Sequence, residues 1–159
     1  MSTPKYEYLS HNDMDGYYAD ICRAMAGAQY RPDVIIAISR GGLDMGVKLS
    51  NYFENTVLVP LVWHTRDGSF QDTIGLQKAL YESKGLNVLI VDDILDSGET
   101  LFQIEKVCEE FSDDVAIDYA VAIENQDIGF DPSWSGRIIS RQDEPQWFVF
   151  PWENWWKKG

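Results

Sequence analysis

A buried strand that runs straight into acids and then opens a helix can hold a charged ligand, and this sequence has one at Val91-Asp92-Asp93-Ile94-Leu95-Asp96-Ser97-Gly98-Glu99-Thr100. Adjacent carboxylates at a strand end accept hydrogen bonds from a pair of sugar hydroxyls and suit a hard divalent cation. The turn from Asp96 to Thr100 leads into a helix, whose free N–H groups and dipole favour a phosphate. Gly98 lets the backbone come close to such an anion, and the Ser97 and Thr100 hydroxyls can donate to it. A second strand-to-helix junction, Ile38-Ser39-Arg40-Gly41-Gly42-Leu43, carries two glycines beside an arginine and by itself reads equally as an ordinary strand-to-helix turn. A third constellation is aromatic, Trp147-Phe148-Val149-Phe150-Pro151-Trp152-Glu153, in a chain whose six tryptophans could by themselves fill a small core or an oligomer interface.

The elements that must position these residues alternate. Tyr17 to Met25 has apolar residues near helical spacing behind possible capping residues in Ser10 to Asp15. Asp33 to Ile38 is a short apolar strand between Pro32 and Gly41-Gly42, of the kind buried on both faces, and Asp44 to Phe53 follows as a helix. Thr56 to Trp63 makes the next strand, and the polar stretch from His64 to Gly85 reads as a mobile loop or flap with a short helix around Leu76 to Ser83. Asn87 to Val91 is the third strand, Glu99 to Phe111 the third helix and Val115 to Ile123 the fourth strand. This order predicts an α/β fold with a parallel sheet flanked by helices and with ligands beyond the carboxyl ends of the strands. After Gln126 the composition turns to Pro, Ser, Gly and aromatics, which predicts an irregular cap over that edge. One domain is expected over residues 1–159, with the flap at about 64–85 and a hood at about 126–159.

The stretch from Val91 to Thr100 resembles the phosphoribosyl pyrophosphate (PRPP) signature of the type I phosphoribosyltransferases at nearly every position: apolar strand, two acids, two apolar residues, an acid, a small hydroxyl residue, Gly, a variable residue, Thr. Glu99 occupies the variable place with an unusual acid, expected to point outward. The Ile38–Leu43 segment is similar to the loop that wraps pyrophosphate in the purine members, where a non-proline cis peptide is common, so one is expected between Ser39 and Arg40. The tail from Trp147 resembles that of bacterial xanthine-guanine and archaeal purine phosphoribosyltransferases.

What the resemblance implies is transfer of 5-phosphoribose from PRPP to a purine base of the guanine, xanthine or hypoxanthine kind, with Mg²⁺ as cofactor. Asp92 and Asp93 would hold the ribose hydroxyls and the metal, directly or through water. Asp96, Ser97, Gly98, Glu99 and Thr100 would cradle the 5-phosphate, while Ser39, Arg40 and Gly41 would meet the pyrophosphate. Asp96 would also lie nearest the purine imidazole nitrogens, and Trp147 and Phe148 would bind the base. The flap would close and exclude water. One position departs from the pattern: where 6-oxopurine enzymes carry a lysine at the end of the fourth strand, this chain has Glu124. Either Glu124 faces an amino-substituted base, or it turns away to pair with Arg137 or Arg141 and leaves Asn125 or backbone amides to read the 6-oxo group.

Two other functions stay open. Ser10-His11-Asn12-Asp13-Met14-Asp15-Gly16 is similar to the metal signature of DHH-type phosphoesterases, although the only other histidine is His64. A regulator of the same fold that binds PRPP or a nucleotide without turnover would keep the PRPP loop. The formal charge of −13 argues against a nucleic-acid partner, since there is no basic stripe. No apolar run approaches the ~20 residues of a membrane span, and no secretory h-region is visible. A cytoplasmic protein without membrane contact is expected. The two cysteines, Cys22 and Cys108, suit ordinary reduced thiols, and a homodimer or homotetramer follows from the family resemblance.

Overall fold

The computed structural model describes residues 5–65 and 69–157. Residues 66–68 of the expected flap, 158–159 of the hood and 1–4 lie outside them.

Strand β1 (Tyr6–Tyr8) precedes helix α1 (His11–Gly27). The helix starts where a capping box can form: the Ser10 hydroxyl accepts from the Asp13 amide at 3.0 Å, and the Asp13 carboxylate accepts from the Ser10 amide at 2.9 Å. Strand β2 (Val34–Ser39), helix α2 (Leu43–Tyr52) and strand β3 (Val57–His64) follow, then the short strand β4 (Phe70–Gln71) and helix α3 (Thr73–Glu82). Strand β5 (Asn87–Leu95), helix α4 (Glu99–Cys108), strand β6 (Ala116–Asn125), strand β7 (Trp134–Ile139) and strand β8 (Trp147–Val149) complete the fold.

The main sheet runs β4-β3-β2-β5-β6-β7 and is parallel except for β4, which pairs antiparallel with β3 through Trp63↔Gln71 and His64↔Phe70. Its central strands are apolar on both faces and sort their residues by the two-residue period of a strand. Ile35, Ala37, Leu89, Val91, Ala120 and Ala122 pack against α1 and α2. Val34, Ile36, Val88, Ile90, Tyr119 and Val121 pack against α3 and α4. The β1 strand leaves this sheet and pairs parallel with β8 through Tyr6↔Trp147, Glu7↔Phe148 and Tyr8↔Val149.

Three elements differ from expectation. The segment after His64 is mostly not a loop: β4 extends a hairpin from β3, and α3 buries Leu76 and Leu80 completely, capped by the Asp72 carboxylate on the Gly75 amide at 2.9 Å. The third strand continues past Val91 as far as Leu95, because β6 keeps pairing with it at Asp92↔Val121 and Ile94↔Ile123. The C-terminal region is also more regular than a cap, since β7 is a sixth sheet strand and β8 belongs to the small two-stranded sheet. Its Gly136 is required by packing: a Cβ there would lie 2.5 Å from the Tyr17 Cβ and 2.8 Å from the Ala122 carbonyl oxygen.

Candidate active site

An open cleft of about 1100 Å³ lies at the carboxyl ends of β2 and β5, walled by the starts of α2 and α4 and by the hood. It gathers Ser39, Arg40, Gly41, Asp92, Asp93, Asp96 to Thr100, Trp147 and Phe148. Of the candidate residues only Glu124 lies off its lining.

The peptide between Ser39 and Arg40 is cis, as expected, and Arg40 is exposed on the cleft wall. The two following glycines are spatial necessities of different kinds. A Cβ on Gly41 would sit 2.2 Å from an Asp93 carboxylate oxygen, whereas one on Gly42 would sit 2.5 Å from the Val91 carbonyl oxygen. The β2 loop thus lies directly on the acid pair.

Asp92 is only 9% exposed, and its Oδ1 accepts from the Asp93 amide at 2.8 Å. Asp93 Oδ1 in turn accepts from the Ile94 amide at 2.8 Å. Burial pushes the Asp92 carboxyl well above the usual carboxylate range, with the neighbouring Asp93 charge adding to it. Burial also raises Asp93, against the opposing hydrogen bonds from Asp92 and the Ile94 amide, with the Glu153 charge contributing. Two side-by-side carboxyls that resist ionising together are a donor set that a divalent cation relieves, so the pair fits Mg²⁺. No cluster of three or more His, Cys, Asp or Glu suited to a metal exists among the described residues, so a metal here would draw its other oxygens from substrate or water.

Gly98 takes the left-handed conformation at φ 84° and starts α4, where a Cβ would meet the Phe102 ring at 2.7 Å. The Ser97 hydroxyl accepts from the Glu99 amide at 3.3 Å, and Glu99 is exposed at the cleft rim. Thr100 Oγ1 lies 3.5 Å from Thr65 Oγ1, so the residue that follows β3 reaches the turn that opens α4.

Asp96 has a partner that the sequence argument did not assign to it. Arg141 donates from Nε to Asp96 Oδ1 at 2.8 Å and from Nη2 to Oδ2 at 2.9 Å, a bidentate fork. The same guanidinium donates from Nη1 to the Glu144 and Gln146 carbonyls and lies 5.1 Å over the Phe148 ring. Arg137 lies at the same distance, 5.1 Å, from that ring and donates to Glu144 Oε1 at 2.9 Å and to Glu7. Phe148 is accordingly a buried support, while Trp147, 48% exposed, presents its indole to the cleft.

Glu124 pairs in register with Leu95 and Ile138 and does not line the cleft, in line with its turning away, but neither expected arginine takes it up: Arg141 is bound to Asp96, and Arg137 to Glu144 and Glu7. Asn125 is held against the turn that carries Asp96. Its Nδ2 donates to the Asp96 carbonyl at 3.1 Å and its Oδ1 accepts from the Asp127 and Arg141 amides at 3.2 and 3.3 Å. The DHH-like segment resolves into the start of α1, with Asp13 in the capping box and Asp15 paired with Lys48 Nζ at 2.6 Å.

The geometry therefore joins the Asp92–Asp93 pair, the start of α4 at Gly98, the Ser39-Arg40-Gly41 loop and the Trp147–Phe148 aromatics in one cleft. The phosphoribosyl transferase domain family matches residues 9–153. A purine phosphoribosyltransferase from Pyrococcus horikoshii superposes with a TM-score of 0.70 at 26% identity, covering 94% of this chain and 95% of that one. The xanthine-guanine-hypoxanthine phosphoribosyltransferase of Helicobacter pylori gives 0.74 at 16% identity, over 98% and 97% of the two chains. A Neisseria gonorrhoeae protein with bound ppGpp gives 0.69 at 19% identity, over 96% and 92%. With its signature turn at the end of β5 and a family match spanning nearly its whole length, this chain belongs to the phosphoribosyl transferase domain family.

Proposed function

We propose that this protein transfers 5-phosphoribose from PRPP to a purine base, giving the nucleoside 5'-monophosphate and pyrophosphate. The observation that carries this reading is the convergence of Asp92-Asp93, the Asp96–Thr100 turn, the Ser39-Arg40-Gly41 loop and Trp147 around one cleft. Each group answers one part of PRPP or the base.

The reaction would pass through a ribosyl cation as pyrophosphate leaves C1, so the protein's work is chiefly electrostatic. Asp92 and Asp93 face the ribose hydroxyls and balance the positive charge growing on the sugar. The amides opening α4, with Ser97 and Thr100, hold the 5-phosphate, and Arg40 with the adjoining amides receives the negative charge on the leaving group. When bound, Mg²⁺ supplies charge neutralisation on the pyrophosphate, with Asp92 and Asp93 as its protein ligands. Trp147 stacks the base and Asp96 faces its imidazole edge. The β3–β4 hairpin, already touching Thr100 through Thr65, is placed to cover the cleft and keep water from the cation.

The test is pyrophosphate release on mixing protein, PRPP, Mg²⁺ and guanine, hypoxanthine, xanthine or adenine. Release that depends on a base supports the transferase. Binding of PRPP or a guanine nucleotide with no release for any base supports the second reading, a regulator, which the ppGpp bound to the Neisseria protein of the same fold favours.

A further inference from the structure

We propose that Asp96 and Arg141 act as one recognition unit that selects 6-oxopurines over 6-aminopurines, an inference that rests on the transferase reading for the identity of the ligand as a purine. The cleft is rich in carboxylates, with Asp44, Asp92, Asp93, Asp96, Glu99 and Glu153 on its walls. Against them, among the described residues, stand two guanidinium groups, Arg40 at the β2 loop and Arg141 on the hood side. Arg141 is the one beside the aromatic platform, since its Nη1 is bound to the carbonyl of Gln146, the residue before Trp147.

Hydrogen-bond accounting shows what this unit has left to offer. A guanidinium has five N–H donors and no acceptor. Nε and one Nη2 proton go to Asp96, and the two Nη1 donations go to Glu144 and Gln146, which leaves a second Nη2 proton among the described contacts. Each Asp96 oxygen accepts once from Arg141 and keeps further acceptor capacity. The unit therefore presents an acceptor, Asp96 Oδ2, next to a donor, Arg141 Nη2, with 2.9 Å between the two atoms. That spacing is comparable to the separation of N7 and the 6-substituent on the edge of a fused purine.

The chemistry of the base matches this pattern in only one case. For N9 to attack C1 of the ribose its lone pair must be free, so the imidazole proton sits on N7. A 6-oxopurine in that tautomer shows N7–H as donor beside C6=O as acceptor, which complements Oδ2 and Nη2. A 6-aminopurine shows two donors, and its amine would face a guanidinium that cannot accept. As the N9–C1 bond forms and the C1–O bond to pyrophosphate breaks, the electron pair leaves with pyrophosphate and the N7 proton passes to the Asp96 carboxylate. Arg141 is thus a specificity-determining residue that also holds Asp96 in place, and the cation that reads the 6-position comes from the hood instead of from the end of β6.

The experiment uses 9-deazahypoxanthine and 9-deazaadenine, which carry N7–H permanently and lack the nitrogen that would be ribosylated, so binding is read at equilibrium by calorimetry with PRPP and Mg²⁺ present. The parent protein is expected to bind 9-deazahypoxanthine about ten- to a hundredfold more tightly than 9-deazaadenine, the worth of a charged hydrogen bond against an unpaired one. Arg141→Met should lose that preference, and Arg141→Lys, which keeps a charge without the fork, should keep its sign at reduced size. Ribose 5-phosphate binding should be unchanged in both variants and reports that they remain folded. Equal affinity of the parent for the two probes, failure to bind either, a ranking unchanged in Arg141→Met, or equal loss of both probes in that variant would each overturn the assignment. Pyrophosphate release with hypoxanthine is scored separately: probe selectivity without release keeps the Asp96–Arg141 assignment and refutes the transferase.

Discussion

Replacing Gly41 by alanine perturbs catalysis through a single contact whose size the structure defines. The new methyl carbon would begin 2.2 Å from Asp93 Oδ2, 2.4 Å from its Cγ and 2.6 Å from Oδ1, distances that no pair of non-bonded atoms tolerates. The carboxyl is the free end of a side chain and the Gly41 backbone is fixed between β2 and α2, so Asp93 is what moves. Leaving its place breaks the hydrogen bond from the Ile94 amide, which is 2.8 Å long. That loss costs about 1 kcal/mol, and the residual crowding about 1 to 3 kcal/mol. For a chain of this length 1 kcal/mol lowers Tm by roughly 2 to 4 °C. On the proposed role, a displaced Asp93 would also lose a charged hydrogen bond to the ribose, about 1.5 to 3 kcal/mol. The corresponding fall in kcat/KM is about ten- to a hundredfold. Gly42→Ala is the internal comparison: its methyl would meet the Val91 and Ile38 carbonyl oxygens at 2.5 and 2.9 Å, backbone atoms of two central strands that cannot swing aside. Its penalty should fall mainly on stability. Thermal denaturation beside pyrophosphate-release kinetics reads both quantities, and Gly41→Ala placed in an Asp93→Asn background should add little further loss of activity. Gly41→Ala with parental kcat/KM would show that the position of Asp93 does not matter to turnover and would sink the reasoning.

Asp92→Asn with Asp93→Asn should abolish most turnover while the protein stays folded, measured by pyrophosphate release beside circular dichroism. The same pair sets a pH dependence in chelator-treated protein. Because burial raises both carboxyls, the folded state holds protons that the unfolded chain has released, so the pair's contribution to stability is full below about pH 4 and is lost as pH climbs through the raised values. Denaturation midpoints across this range should show the decline in the parent, its absence in the double variant and its reversal by Mg²⁺. Trp147→Ala should weaken base binding by roughly 1 to 3 kcal/mol and leave PRPP binding unchanged, and equal losses in calorimetry would make Trp147 structural. Glu124→Lys should leave the order of kcat/KM for guanine, hypoxanthine, xanthine and adenine as it is, because Glu124 lies off the cleft. In hydrogen exchange, amides at the β3–β4 hairpin should gain protection with PRPP and Mg²⁺, whereas those of α3 should be protected without ligand.

The parts of the site that a sequence declares are those whose chemistry is local. Val91 to Thr100 and Ile38 to Leu43 each place strand, turn and helix start within ten residues, so the order of residue types already fixes which atoms face the ligand. The cis bond at Ser39-Arg40 followed from resemblance to other such loops, not from any local propensity. What the sequence hid was long-range. Arg141 and Asp96 are 45 residues apart, and nothing in the composition around Arg141 distinguishes it from a solvated surface arginine. The strand at Trp134–Ile139 was obscured because Ser135-Gly136 has the composition of a turn, while its glycine is in fact imposed by α1 crossing at Tyr17. The helix expected around Leu76 to Ser83 is present, and only its start at Thr73 was obscured, by Gly75 and a narrow apolar stripe that suffices once Leu76 and Leu80 find the core beside α4.

The pairing of β1 with β8 joins the two ends of the chain, with the Trp147 amide donating to the Lys5 carbonyl at 2.9 Å and Arg137 tied to Glu7. Closing a loop of nearly the whole chain carries an entropic cost that local hairpins and βαβ units do not, and contacts of such separation form late. On the proposed assignment the PRPP half of the cleft is built from β2, β5 and the helices that immediately follow them, so it needs no such closure. The proposed base half does. The groups assigned to phosphate and ribose are therefore expected to assemble before the Trp147 side of the cleft, and β1 is what completes that second half.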